Sequence, residues 1–243
     1  MRNYKISVFL PVYNLESAQL ANNVKTILSF LKKNYRKFEI IIINDTSNEE
    51  TTEAINSATK LGNVTAIHYY NGPSRRENLA ASFQKANFNT ICFMDIDLST
   101  EISSLVKLTD KIYEGYDIAI GSRHKGVRAK REAYRKIIST AYNLFLSLMF
   151  GSKILDHNCG FKAFKKNSIL KLVKKMGYDK SFSRGWFWDA EMIILAQKIN
   201  FKIAEIAVAW KRDEQTTFSL SREIKIIPYM IMFWLLYLYR KLK

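Results

Sequence analysis

Only three prolines and two cysteines occur in 243 residues. No uninterrupted apolar run approaches the ~20 residues that a membrane-crossing helix needs. With so little proline, no internal repeat and no low-complexity tract, a fibrous or disordered chain is excluded. Cys92 and Cys159 have no zinc-site spacing and are too few for a disulfide scaffold. They read as buried free thiols of a reduced, cytosolic-side protein. Acidic residues are scarce too: 22 Asp and Glu stand against 38 Lys and Arg, a formal charge of +16. That excess implies an anionic partner, whether nucleic acid, phosphorylated substrate or an anionic membrane surface. The chain enters its first strand directly, so no signal peptide is expected.

What is present is the make-up of a globular domain, with 48% apolar and 25% charged residues. Strands are expected at Lys5–Val12, Glu39–Asn44, Val64–Tyr69, Thr90–Met94 and Asp117–Gly121. The second carries four consecutive isoleucines and suits burial on both faces. Helices are expected between them, over Leu15–Leu31, Glu49–Leu61, Glu77–Ala86 and Ile102–Glu114, with Thr46, Ser47 and Asn48 as capping candidates for the second. Strand–helix alternation predicts a doubly wound, mostly parallel α/β sheet.

Two apolar runs depart from that alternation, Ile137–Phe150 and Ile226–Tyr239. As helices each spans about 21 Å, short of the ~30 Å hydrocarbon core. Basic residues flank both: Arg131, Arg135 and Lys136 on one side, and Arg222, Lys225, Arg240, Lys241 and Lys243 around the other. Aromatic-rich apolar segments with basic flanks fit helices lying in a membrane interface. A core helix and a dimer contact are the alternatives. The expected division is residues 1–222 as the catalytic domain and 223–243 as a membrane-associating segment.

Asp95-Ile96-Asp97 closes the fourth strand. Two carboxylates at a strand's carboxyl end, where α/β sheets gather ligands, can share a hard cation with substrate phosphates. The plainer use is a solvated strand end before a helix capped by Ser99 or Thr100.

Other motifs follow in order along the chain. Pro11-Val12-Tyr13-Asn14 ends strand one, and Ile43-Asn44-Asp45-Thr46-Ser47 ends strand two. Gly121-Ser122-Arg123 ends strand five. Asp156-His157-Asn158-Cys159-Gly160-Phe161-Lys162-Ala163-Phe164 and Trp188-Asp189-Ala190-Glu191 come next. Over roughly residues 3–220 this series resembles the inverting family 2 glycosyltransferases of GT-A fold. Within them it is most similar to the dolichyl- and polyprenyl-phosphate mannose synthase branch.

The resemblance implies a Rossmann-like α/β fold and transfer of mannose or glucose from a nucleotide-sugar to a polyprenyl phosphate, with Mg²⁺ or Mn²⁺ as cofactor. By resemblance Pro11, Tyr13, Glu16 and Asp45 contact the donor nucleoside, and Asp95 and Asp97 hold the metal against the diphosphate. Arg212, in a loop with Lys211, Thr217 and Ser219, is a further donor contact. Arg123, Arg135, Arg128 and Arg131, with Lys130 nearby, face the acceptor phosphate, whose oxygens the planar guanidinium fork can meet in pairs. A phosphate monoester is mostly dianionic at neutral pH and needs no strong base. Asp189 and Glu191, placed where hydroxyl-acting relatives carry a base, are therefore expected to orient the sugar or the arginines. Arg75 and Arg76, after the third strand, either touch the donor diphosphate or lie in solvent.

The implied location is the cytoplasmic face of a membrane, peripheral or monotopic, with a partner membrane subunit or a second copy possible and no nucleic acid. Two other readings are a transferase acting on a glycan or protein hydroxyl and a non-catalytic basic nucleic-acid module.

Overall fold

Each apolar run of the first half becomes a strand of one sheet in the computed structural model. It describes residues 1–74, 76–125, 133–177, 184–211 and 226–239, with backbone alone for 133–136 and 239. The order is β1 (Arg2–Val12), α1 (Ser17–Asn34), β2 (Tyr35–Asp45), α2 (Glu49–Ala58), β3 (Val64–Tyr69), α3 (Glu77–Ser82), β4 (Thr90–Met94) and α4 (Ser104–Tyr113). Then follow β5 (Ile118–Ser122), α5 (Ala133–Phe150), β6 (Phe161–Lys165), α6 (Lys166–Met176), α7 (Phe187–Lys198), β7 (Ile203–Ala207) and α8 (Ile227–Tyr239).

The seven strands lie in the order β3-β2-β1-β4-β6-β5-β7. All neighbours run parallel except β6, which is antiparallel to both β4 and β5. The mostly parallel doubly wound sheet is therefore as expected, with one inserted reverse strand. β2 starts at Tyr35 rather than Glu39 because Tyr35 and Phe38 are buried. The Tyr35 hydroxyl lies 3.0 Å from Thr109 Oγ1 on α4.

Strand alternation divides the core between the two faces. Val8, Leu10, Ile40, Ile42, Cys92 and Met94 meet Leu20, Val24, Ile27, Leu105 and Leu108 on one side. Phe9, Ile41, Ile43, Ile91 and Phe93 meet Phe83, Ile169, Trp188 and Met192 on the other. Ile40–Ile43 are all at most 3% exposed. Such burial stabilises by about 1.5–3 kcal/mol per side chain. A third cluster joins α5, α7 and α8 through Leu146, Phe150, Phe187, Ile194 and Tyr229.

Asn48 caps α2 as expected, accepting from the Thr51 backbone N–H at 2.9 Å. The expected cap of the next helix is corrected. Neither Ser99 nor Thr100 caps α4, which starts at Ser104 after Ser103. The Ser99 N–H instead donates to Asp97 at 2.9 Å, and Thr100 forms an antiparallel bridge with Trp210. Among the described residues no helix is long and apolar enough to cross a membrane.

Candidate active site

The sheet order reverses at β1, which has β2 on one side and β4 on the other. Open α/β sheets bind ligands above such a point, at the carboxyl ends of the strands. Here those ends carry Tyr13, Asp45 and Asp95. Each strand leaves the sheet through a non-glycine residue in the left-handed region: Asn14 (φ 46°), Thr46 (φ 64°) and Leu98 (φ 55°). That conformation is costly for a β-branched residue such as Thr46 and clusters at functional sites. Two hydrogen bonds hold it, from Thr46 Oγ1 to the Tyr69 carbonyl and from the Gly72 N–H to Thr46 Oγ1.

Tyr13 stands 51% exposed, Pro11 is half-buried, and Glu16 is exposed at the N-cap of α1. Asp45, expected to line the donor nucleoside pocket, is packed against the segment that follows β3. It is 4% exposed. Its carboxylate accepts from the Ser74 N–H (2.9 Å), Ser74 Oγ (3.0 Å) and Asn78 Nδ2 (2.6 Å). A Cβ at Gly72 would come within 2.5 Å of its Oδ1. Asp45 thus holds Ser74 and Asn78, on either side of Arg76.

Arg76 in turn reaches the metal-candidate carboxylate Asp95. Arg76 Nη2 lies 3.8 Å from Asp95 Oδ1, while its Nε donates to Asp189 Oδ2 at 3.0 Å. Lys162 Nζ donates to Asp189 Oδ1 at 2.7 Å and also to the Cys159 carbonyl. Both cations lie against the Phe93 ring, 5.1 Å and 5.3 Å from its centroid. Antiparallel pairing explains the meeting. β6 begins beside the end of β4, with Phe161 opposite Met94 and Lys162 opposite Phe93. Gly160, just before it, packs so closely that any Cβ there would overlap the Asp95 carboxylate.

Burial would raise the Asp189 carboxyl, but Arg76 and Lys162 overcome it and hold Asp189 below its ordinary value. Asp95 goes the other way. Desolvation by the surrounding protein pushes it up to about 6; Arg76 opposes this, and Asp97 and Asp189 add to it. Mutually repelling carboxylates, with the Asp95 side chain 43% exposed, fit a cation held by one or two carboxylates and completed by substrate phosphates. No group of three or more His, Cys, Asp or Glu able to hold a metal occurs among the described residues. A cation here would therefore need oxygens from the ligand.

Arg123, at the end of β5, is engaged with Asp156. Its Nε and Nη2 donate to Asp156 Oδ2 and Oδ1, both at 2.7 Å, and its backbone N–H adds a bond at 2.9 Å. Burial of Asp156 works against ionisation, yet Arg123 brings the carboxyl down to about 2. The pair uses two of the five guanidinium N–H donors, so three stay available on the far edge.

Glu191 is buried and faces away from this cluster's cations: Tyr229 Oη of α8 donates to it at 2.9 Å, and Arg184 Nη1 lies 3.6 Å away. It ties α8 to α7. Arg75, Arg128, Lys130, Arg131, Arg212, Thr217 and Ser219 lie outside the described residues, as do the flanking Arg222, Lys225, Arg240, Lys241 and Lys243, and Arg135 is placed by backbone alone in α5. The buried roles of Lys162 and Asp156 were not anticipated. The available signal was a lysine inside the apolar run Phe161–Phe164.

The profile of "Glycosyl transferase family 2" matches residues 7–173. Glycosyltransferase AglD of Haloferax volcanii is 34% identical over 227 residues, which cover 90% of this chain and 35% of that protein. The chain thus spans about a third of that relative's length. The dolichyl-phosphate beta-glucosyltransferase of Saccharomyces cerevisiae is 26% identical over 256 residues, covering 96% of this chain and 75% of the relative. Among solved structures, glucosyl-3-phosphoglycerate synthase from Mycobacterium tuberculosis with UDP aligns at TM-score 0.66 and 17% identity. That alignment covers 96% of this chain and 79% of the other. The same enzyme with Mn²⁺, UDP and glucosyl-3-phosphoglycerate aligns at 0.67 and 15% identity, over 94% and 79%. These likenesses establish the fold.

Proposed function

The chain belongs to glycosyl transferase family 2, and from that premise we propose that it moves glucose from a nucleotide-sugar to a polyprenyl (dolichyl-type) phosphate, with inversion. Of the two sugars the sequence suggested, glucose is preferred over mannose because the relatives named for an acceptor and a sugar include dolichyl-phosphate beta-glucosyltransferases. One observation carries the choice of acceptor. Asp189 is clamped by Arg76 and the buried Lys162 and held ionised below the usual carboxylate range. A general base for a sugar or protein hydroxyl needs a pKa near the working pH and an open path to the proton. Asp189 offers neither, whereas a phosphate dianion brings its own nucleophilic oxygen.

In this reading Asp95 and Asp97 hold Mg²⁺ or Mn²⁺, which would neutralise charge on the departing nucleoside diphosphate. Arg76 faces the same carboxylates and contributes a fixed positive charge to that place. Pro11, Tyr13 and Glu16 border the donor, with Asp45 shaping the wall behind them. Arg123 offers its free edge to the acceptor phosphate, oriented by Asp156. Arg135, Arg128, Arg131 and Arg212 are proposed as phosphate contacts on the strength of the resemblance.

Residues 1–222 form the catalytic unit and 223–243 the membrane-associating segment. α5 and α8 present the surface that meets the bilayer: Ile137 (68% exposed), Leu148 (77%), Ile231 (52%) and Leu235 (56%) face outward. Incubating the protein with labelled UDP- and GDP-sugars and either a polyprenyl phosphate or the matching free prenol tests the reading. Transfer to the phosphate alone is expected. Transfer to the free prenol or to a sugar hydroxyl would favour the hydroxyl-acting alternative.

A further inference from the structure

Helix α5 has two dissimilar sides. Ile137, Ile138, Leu144, Phe145 and Leu148 are exposed along one. The other presents Ser139 and Asn143, one turn apart, with Asn143 Nδ2 donating to the Ser139 carbonyl at 2.8 Å. That bond fixes the amide so that Oδ1 points inward. Asn143 Oδ1 accepts from the His157 backbone N–H at 3.2 Å and lies 2.7 Å from His157 Nδ1. An oxygen that only accepts places the imidazole proton on Nδ1. Nε2 is then the acceptor for Ser152 Oγ at 2.7 Å, and Ser152 in turn accepts from Gln197 Nε2 of α7 at 2.8 Å. One turn earlier, Ser139 Oγ lies 3.0 Å from His124 Nε2.

His124 follows Arg123 in the chain, and His157 follows Asp156. The two halves of the buried Arg123–Asp156 pair are thus each tethered, through the next residue, to the same face of one helix. We propose that His124 and His157 are positioning residues through which α5 sets the Arg123–Asp156 pair, and with it the guanidinium edge that meets the acceptor phosphate. The proposal rests on the acceptor reading above. It adds that the helix bearing the exposed apolar side also positions the phosphate-binding arginine.

The test measures KM for a vesicle-borne polyprenyl phosphate and, separately, for the nucleotide-sugar. Asn143→Ala removes the acceptor of two hydrogen bonds, and Ser139→Ala cuts the His124 tether at a half-buried position that tolerates alanine. Each should raise the acceptor KM about tenfold and leave the donor KM unchanged. Combining either with Arg123→Lys should add nothing, since both act through one guanidinium. Equal rises in both KM values, or losses that multiply with Arg123→Lys, would overturn the proposal by marking a general structural role. If Asn143→Ala does not fold, Ser139→Ala decides alone. A wild type that uses polyprenyl phosphate, beside an unchanged Ser139→Ala, sinks the positioning role and leaves the acceptor reading intact. A wild type that uses no polyprenyl phosphate sinks both.

Discussion

Replacing Asp189 with Asn separates an anchoring carboxylate from a chemical one. The substitution keeps the shape and one acceptor oxygen but removes the charge between two cations. Lys162, 0% exposed, would lose its carboxylate partner and keep the Cys159 carbonyl and the Phe93 ring. Arg76, 15% exposed on its side chain, would keep Asp95 at 3.8 Å and the same ring. Breaking a buried ion pair from one side costs about 3–5 kcal/mol. The amide oxygen recovers part of that, so about 3 kcal/mol is expected, or roughly 6–12 °C in Tm for a chain of this size. Because Asp189 is held below its ordinary value, its contribution is complete above about pH 4 and fades only as pH falls through the depressed value. The Tm gap between wild type and variant should therefore stay constant from pH 6 to 9. Arg76, released, should close on Asp95 and raise the Mn²⁺ concentration needed to half-saturate binding of a nucleoside diphosphate. Circular-dichroism melts and a nucleotide-binding titration read both effects. A variant that melts within about 1 °C of wild type yet transfers no sugar would show that the carboxylate acts in the chemistry, against the anchoring argument.

Mn²⁺ with UDP or GDP should raise the Tm of the wild type and leave Asp95→Asn and Asp97→Asn unmoved. Because Asp95 is raised to about 6, that stabilisation should weaken below pH 6, where the proton competes with the cation. His157, forced down to about 4 by burial, stays neutral when folded while the unfolded chain takes up a proton near pH 6.5. Stability should therefore fall as pH drops from 6.5 to 4, by on the order of 3 kcal/mol. Urea titrations at several pH values should show this slope, and His157→Gln should flatten it. Finally, Leu148→Glu with Leu235→Glu, both outward-facing, should abolish co-sedimentation with anionic liposomes without lowering Tm. Unchanged binding would move the contact elsewhere.

How far the sequence reads the molecule depends on the range of the interactions that decide each part. The strands of the first half were legible because four isoleucines, or a run such as Thr90–Met94, need no distant information to demand burial. The carboxyl-end positions of Asp45, Asp95 and Arg123 followed from the same runs. β6 did not follow, because Phe-Lys-Ala-Phe-Lys neither alternates cleanly nor makes an unbroken apolar run. Phe161–Phe164 are buried, with Lys162 among them, because Asp189, 27 positions later, neutralises it. α7 was invisible to periodicity for a related reason: residues 187–196 are buried all round, so no apolar stripe distinguishes one face. The arginines show the limit most clearly. In the sequence Arg123 is expected at the acceptor phosphate and Arg76 at the donor diphosphate or in solvent, yet each is turned by an aspartate that only folding brings near, Asp189 for Arg76 and Asp156 for Arg123. A motif places a charge at the cleft, and the long-range partner decides which of its N–H groups remain to meet a substrate. For Arg123 that leaves the edge away from Asp156, so in the proposed reading an acceptor phosphate approaches the guanidinium from the side opposite Asp156.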